Sequence, residues 1–183
     1  MKKLLFLALL LLIVPTVAGA ASGNGATQLL EANYRAVEQM VASIPPSRAL
    51  NKQKPIIVAT VVNVDDLGGS RFGRMLSEQI GTRLTNLGYS VIELKLRDKI
   101  FVRQGVGELM LSREVRDISG SQKAQAVVVG TYAESVGGVY PGSSGSVYVT
   151  LKIVGVTDNV VISAYDYVLP LDANIRSLLY PIR

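Results

Sequence analysis

Two adjacent carboxylates, Asp65 and Asp66, follow a run of apolar residues and precede a pair of glycines. Carboxylate oxygens could bind a divalent cation or transfer protons as a general acid and base. Consecutive side chains of an extended strand point to opposite sides, so these two converge only where the chain turns. No third acidic residue is near them in the sequence. The pattern favours an Asx turn or an approach to a helix over a metal or catalytic site.

Glycines after the same apolar run are the second feature with a chemical interpretation, since Gly68, Gly69 and Gly73 lie where a nucleotide phosphate could bind. Their spacing does not fit G-x-G-x-x-G, and no Gly-Lys-Ser or Gly-Lys-Thr follows as in a P-loop. Glu93 stands twenty residues after Gly73, the separation of a ribose-binding acid, but the two preceding carboxylates would repel a phosphate. Loop geometry explains the glycines better than nucleotide binding does.

The absence of two residue types narrows the chemistry further, because the chain contains neither His nor Cys. Zinc and copper sites of the usual kind, Ser-His-Asp and Cys-His catalysis, and disulfide bonds are therefore excluded. Carboxylate pairs, Lys and Ser are what remains for catalysis. We expect a protein without enzyme activity, metal or cofactor, and its stability must come from a hydrophobic core.

The first twenty residues have the organisation of a secretory signal peptide. Two lysines precede an apolar run of eleven residues, 4–14, which Pro15 ends. Ala18 and Ala20 are the small residues that a signal peptidase requires, and they predict cleavage between Ala20 and Ala21. The alternative is a retained anchor, but a bilayer span needs about 20 apolar residues. Without Cys, the exported chain has no thiol for lipid attachment.

The charge of the exported chain is small. Two of the 19 basic residues lie in the signal segment, so 17 remain against 14 acidic ones. This balance does not predict nucleic-acid binding, which an exported protein would rarely perform.

Hydrophobic periodicity predicts a first helix over 27–43, with Leu30, Tyr34, Val37 and Val41 on its apolar face. Two prolines end it, and a polar linker follows to residue 54. This helix is either an arm packed on the main domain or a helix that binds a partner.

The apolar run 56–64 predicts a strand covered on both faces, and Ser70 can cap a helix that ends near Leu87. Two glycines in this helix, Gly73 and Gly81, indicate a close approach to the sheet or to a neighbour. Met75 is expected beside the apolar stripe of the helix. Four charged residues are expected to face solvent: Arg71, Arg74, Glu78 and Arg83.

The rest of the chain adds elements of both kinds. We expect strands over 89–94, 126–133, 147–154 and 160–168, and short helices over 113–123 and 172–179. The resulting fold class is α/β: a mixed sheet whose parallel β-α-β-α-β half is extended by antiparallel hairpins, with helices packed on the sheet and an N-terminal helical arm. The expected organisation is a signal peptide (1–20), an N-terminal helix with linker (21–54) and an α/β domain (55–183).

Three side chains are candidates for partner binding. Arg71 and Arg74 lie on the polar side of the second helix, and Tyr140 lies in the connection 137–146, which is longer than a hairpin needs. That connection is either slack or presents Tyr140 to a partner. The basic run 95–103 indicates a solvated strand edge, with partner binding as its alternative.

Several segments within residues 55–178 resemble the FlgO family of flagellum-associated outer-membrane proteins. They are VVNVDDLGGSRFGRMLSEQIGTRLTNLGYSVIEL, FVRQGVGELMLSREVRDI, AQAVVVGTYAES and SAYDYVLPLD. Most of these positions are structural, so the likeness identifies a fold better than a site.

The resemblance implies a periplasmic or outer-membrane component of a Gram-negative bacterium that is required for flagellar motility, with no catalytic residues. Its expected partners are other flagellar or envelope proteins. Peripheral association with the outer membrane and oligomer formation both stay open. The alternatives are a general envelope assembly or secretion accessory without a flagellar role, and a small-ligand-binding domain.

Overall fold

The computed structural model describes residues 25–65, 69–93, 120–137 and 145–180. Within these ranges the chain forms three α-helices, one short 3-10 turn (Pro46–Arg48) and one mixed sheet of six strands. The helices are α1 (Gly25–Ala42), α2 (Arg71–Asn86) and α3 (Ala173–Leu179). The strands are β1 (Ile56–Val58), β2 (Val62–Asn63), β3 (Val91–Glu93), β4 (Ala126–Ser135), β5 (Ser146–Gly155) and β6 (Val161–Pro170).

The sheet has the predicted division into a parallel and an antiparallel half. Its strands follow the order β3-β1-β4-β5-β6, and β2 pairs with β4 beyond the end of β1. β1 is parallel to β3 and to β4, whereas β4–β5 and β5–β6 are antiparallel. Asn159 makes the turn between β5 and β6 at φ 58°, a left-handed conformation that asparagine tolerates. The predicted α/β fold class is confirmed.

The prediction of one continuous strand over 56–64 is wrong, because the chain leaves the hydrogen-bonded ladder between β1 and β2. The backbone N–H of Val61 donates to the hydroxyl of Ser77 on α2 (2.9 Å) instead of to a neighbouring strand. The backbone of this stretch thus contacts the helix. Periodicity in the sequence does not reveal such a break, since every residue in it is still apolar or small.

Both faces of the parallel half are buried, as the uninterrupted apolar run predicts. Ile56 and Val58 belong to the main core beneath the helices. Ile57 and Ala59 point the other way and pack with a second, smaller cluster. That cluster also contains Val127, Val129 and Val154.

The N-terminal helix is present and packs against β6 and α2, so its interpretation as an arm on the main domain is confirmed. Its predicted inward face is wrong in part, because Leu30 is 37% exposed. The buried face contains Leu29, Ala36 and Met40 together with a polar residue, Asn33, which is fully buried. The buried face of α1 therefore differs from the purely apolar face that periodicity predicts, because it includes Asn33.

The second helix has the predicted ends. The Ser70 side chain accepts a hydrogen bond from the N–H of Gly73 (2.9 Å), which caps the first turn. Gly88 has φ +85° after the last turn, and the N–H of Tyr89 donates to the carbonyl of Leu84 (3.0 Å), which completes a Schellman motif. Among the residues described, no helix combines the length and apolar character needed to cross a bilayer.

Candidate partner-binding surface

Contacts with the sheet fix the rotation of α2 about its own axis. A Cβ atom on Gly73 would lie 1.8 Å from the carbonyl oxygen of Val61, so only glycine allows this approach. One turn later, the Ser77 hydroxyl donates to the carbonyl of Ala59 (3.1 Å) and accepts from the N–H of Val61 (2.9 Å). The glycine at position 73 is thus explained by packing, and the expected close approach is confirmed.

The opposite side of α2 is a solvent-exposed surface, here called the α2 outer face: Arg71, Arg74, Met75, Glu78 and Thr82. Arg71 and Arg74 are exposed, as predicted, and neither forms an ion pair with a residue that the structure describes. Met75 was expected beside the apolar stripe, but it is 41% exposed. It stands four residues after Arg71 and therefore shares the side of the helix that faces solvent.

Arg83 does not face solvent as predicted, because it joins α2 to α1. Its guanidinium pairs with the carboxylate of Glu38 and lies over the ring of Tyr34, 5.4 Å from the ring centre. Both partners are on the first helix, whose orientation the sequence does not give. Arg83 therefore holds the two helices together and is not part of the α2 outer face.

A second polar cluster lies inside the protein and also has a structural role. The Asn33 side-chain amide donates to the carbonyl of Leu76 (3.1 Å) and to the side-chain oxygen of Gln79 (3.0 Å). The Tyr167 hydroxyl donates to the Asn33 side-chain oxygen (3.0 Å). Burial raises the pKa of Tyr167 well above its ordinary value. All polar atoms of the amide have partners within the fold, which leaves none for a ligand.

The carboxylate and glycine motifs contribute to no metal-binding cluster within the described residues. Asp65 is exposed, and its backbone N–H donates to the side-chain oxygen of Asn63 (2.8 Å), so the turn is made by Asn63. Asp66 and Gly68 lie outside the described residues. No group of three or more acidic, His or Cys side chains lies close enough to bind a metal ion in the part of the chain that is described.

The far side of the antiparallel half is a second solvent-facing surface, here called the open face: the exposed residues Tyr148, Ala164, Asp166 and Val168, and the half-buried Lys152. Tyr148 and Val168 are opposite each other on β5 and β6, and they are 52% and 56% exposed. The sequence analysis assigned no role to this face. The signal was available, since an aromatic and a β-branched side chain occupy outward positions of adjacent strands.

Three of the predicted site residues fall in parts of the chain that the structure does not describe. Tyr140 and the cleavage-site residues Ala20 and Ala21 lie outside the described residues, as does the basic run 95–103. Of the candidate residues, Arg71 and Arg74 are therefore the two that lie on one exposed surface, and Met75 lies beside Arg71 on the same surface.

Solved structures with a similar fold come from bacterial proteins of low sequence identity. The LpoB C-terminal domain from Salmonella enterica is 14% identical, with 77% of this chain and 97% of that chain covered and a TM-score of 0.49. The PelC dodecamer from Paraburkholderia phytofirmans is 15% identical, with 67% and 74% covered and a TM-score of 0.45. Lipoprotein GNA1162 from Neisseria meningitidis is 15% identical, with 66% and 85% covered and a TM-score of 0.43.

Sequence comparison identifies the family. No curated protein matches this sequence. The sequence profile of the family described as FlgO protein matches residues 34–174, a range that begins within α1 and extends into α3. The match includes every strand of the sheet and both arginines of the α2 outer face. The chain belongs to the FlgO family.

Proposed function

We propose that this protein is a non-enzymatic component of the cell envelope that associates with the flagellar apparatus and is required for motility. The family match over residues 34–174 is the observation that carries the proposal, because it includes nearly the whole described fold. The sequence of the first twenty residues supports export, to the periplasm or the outer membrane.

The chemistry of the described residues supports a binding role over a catalytic one. The chain has no His or Cys to act as a base, nucleophile or soft metal ligand. Its buried polar side chains, Asn33 and Ser163, hydrogen-bond to α1, α2 and β6 and so connect elements of the fold. The groups left accessible are surface charges and apolar side chains, which suit protein partners.

The α2 outer face is the surface we assign to a flagellar or envelope partner. Two arginines without carboxylate partners among the described residues share this surface with an exposed methionine, which lies next to Arg71. Arginine and methionine are both enriched at protein interfaces, where arginine favours carboxylates on the partner. The complementary surface would therefore combine acidic side chains with an apolar contact for Met75.

Recovery with purified flagellar basal bodies tests this proposal. The wild-type protein is expected to copurify with them, and the double variant Arg71→Glu, Arg74→Glu is expected to be lost from them at an unchanged envelope level. The matched control reverses two exposed charges elsewhere, Arg35→Glu with Lys54→Glu, and should copurify like the wild type. Both variants should melt like the wild type, because exposed substitutions leave the core unchanged.

Two other results would contradict parts of the proposal. Wild-type protein that is exported but absent from basal bodies would favour the alternative, a general envelope assembly or secretion accessory. Copurification of the Arg71→Glu, Arg74→Glu variant at the wild-type level would keep the flagellar role and overturn the assignment of the α2 outer face.

A further inference from the structure

β6 forms one end of the sheet, and half of its backbone groups point away from β5. The N–H of Leu171 donates to the carbonyl of Gly145 (2.8 Å), which makes this pair a hydrogen-bonded one in the β5–β6 register. Such pairs alternate with pairs that are not hydrogen-bonded in an antiparallel ladder. Tyr165 and Tyr167 therefore bond to β5, whereas Ala164, Asp166 and Val168 direct their N–H and C=O groups outward.

This edge has few of the features that block strand addition. It is ten residues long, and Asp166 is its one charged residue. No described strand pairs with its outer side. The outward-pointing residues Ala164, Asp166 and Val168 are also exposed on the open face. An edge of this length and low charge is a template for another strand.

We propose that β6 pairs with β6 of a second copy of this chain, antiparallel and about a two-fold axis at Tyr165. This register places Ala164 opposite Asp166 of the second copy, and each of these residues offers both an N–H and a C=O to the other chain. The regular part of the strand then contributes two symmetric Ala164–Asp166 pairs, while Val168 lies opposite Ile162 of the second copy, at the irregularity of β6. Self-association through β6 does not depend on the flagellar role.

Two neighbouring registers are less favourable. An axis at Asp166 would place two carboxylates directly opposite each other, which destabilises a strand pair. An axis at Tyr167 would place Ala164 opposite Pro170 of the second copy, and Pro170 has no N–H to donate. The axis at Tyr165 avoids both defects.

Charge complementarity favours a second copy of this chain, and not an unrelated strand, as the partner of β6. Lys152 lies opposite Ala164 on β5, on the same open face as Asp166. In the proposed dimer, Lys152 of one copy and Asp166 of the other lie in one cross-strand row, two strand spacings or about 10 Å apart. The small Ala164 side chain between them leaves the lysine room to reach the carboxylate. Neither residue forms an ion pair with another described residue in the single chain.

Sedimentation of the purified, exported protein tests the interface. The wild type is expected to show a dimer whose proportion increases with protein concentration. Asp166→Lys and Lys152→Glu should each raise the dimer dissociation constant by roughly tenfold or more, since two symmetric attractive contacts become repulsive. The double variant Asp166→Lys, Lys152→Glu exchanges the charges and should restore the dimer. Lys54→Glu, at an exposed position outside the open face, should dimerise like the wild type.

A backbone variant tests strand addition separately from charge. Ala164→Pro removes an outward N–H that β5 does not use, so the chain should keep its circular dichroism spectrum and lose the dimer. A wild-type protein that is monomeric at every concentration would overturn the proposal. A dimer that persists in the folded Asp166→Lys and Ala164→Pro variants would place the interface elsewhere. A folded double variant Asp166→Lys, Lys152→Glu that stayed monomeric would overturn the register.

Discussion

Asn33 connects three elements of the fold through one side chain. Its amide is fully buried on α1, donates to Leu76 and Gln79 on α2, and accepts from Tyr167 on β6. A buried amide that lost a partner would be destabilising, so the three contacts together specify how α1 lies on the sheet. The same contacts explain why the inward face of α1 contains a polar residue.

Removing the Tyr167 hydroxyl tests the importance of this cluster. Tyr167→Phe leaves the buried side-chain oxygen of Asn33 without its donor and should lower the free energy of unfolding by about 1–3 kcal/mol. Tyr165→Phe is the matched control, because the Tyr165 ring also packs on the core from β6 but its hydroxyl has no bond to Asn33. Denaturant unfolding of the two variants measures the difference, and equal stability of both would contradict the role of Asn33.

The same variant has an expected signature in alkaline solution. Burial raises the pKa of Tyr167 above its ordinary value of 10.0, so the folded protein retains a proton that the unfolded chain loses. The contribution of Tyr167 to the free energy of unfolding is therefore fully present below pH 10 and decreases as the pH rises above that value. The wild type should therefore lose stability above pH 10 more steeply than Tyr167→Phe, and parallel pH profiles would contradict this assignment.

At the residue scale, the sequence predicted the contacts that are local and missed those that join distant elements. The cap at Ser70 and the end of α2 near Leu87 depend on neighbours within a few residues, and the structure confirms both. Met75 was misplaced although its position four residues after Arg71 puts it on the exposed side of α2. Arg83 was misplaced because its surroundings depend on how α1 lies against α2. No pattern within one helix contains that information.

At the element scale, α1 is an integral part of the hydrophobic core. Met40 is 1% exposed and belongs to the main cluster with residues from α2 and the central strands. The family match also begins within this helix, at residue 34. The helix therefore contributes to stability, whatever else its exposed side does.

Two alanine substitutions on α1 distinguish an integral helix from a detachable arm. Met40→Ala should lower the free energy of unfolding by about 2–5 kcal/mol, because it opens a cavity beneath the helix. Leu30 is 37% exposed, although periodicity predicts it on the inward face. Leu30→Ala should therefore change the free energy of unfolding by less than about 0.5 kcal/mol. Thermal or denaturant unfolding gives both values. A small effect of Met40→Ala would mean that α1 does not belong to the core.

Strand prediction succeeded where pairing is regular. The alternating burial of Val147, Val149, Leu151 and Ile153 on β5 follows directly from period-two patterning, and the antiparallel hairpins are as expected. The break between β1 and β2 could not be predicted, because it depends on the hydroxyl of Ser77 and the missing side chain of Gly73 on a different element.

At the scale of the whole molecule, the fold class, the family and the exposure of Arg71 and Arg74 could be obtained from the sequence, whereas the complete extent of each surface could not. Apolar runs and their spacing indicate a parallel half followed by hairpins, which the six-stranded sheet confirms. The order of strands decides that β6 is at an edge, and helix rotation decides that Arg71, Arg74 and Met75 share one exposed side. Both depend on tertiary packing, so the candidate interaction surfaces needed the structure.

Swimming of a strain that lacks only this gene tests the central claim most directly. A non-enzymatic component of the flagellar apparatus should be required for motility, so the deletion strain should swim poorly while its growth and general secretion stay normal. The wild-type gene supplied in trans should restore swimming, which excludes effects on neighbouring genes. Normal swimming of the deletion strain, accompanied by defects in the envelope or in secretion, would contradict the flagellar role.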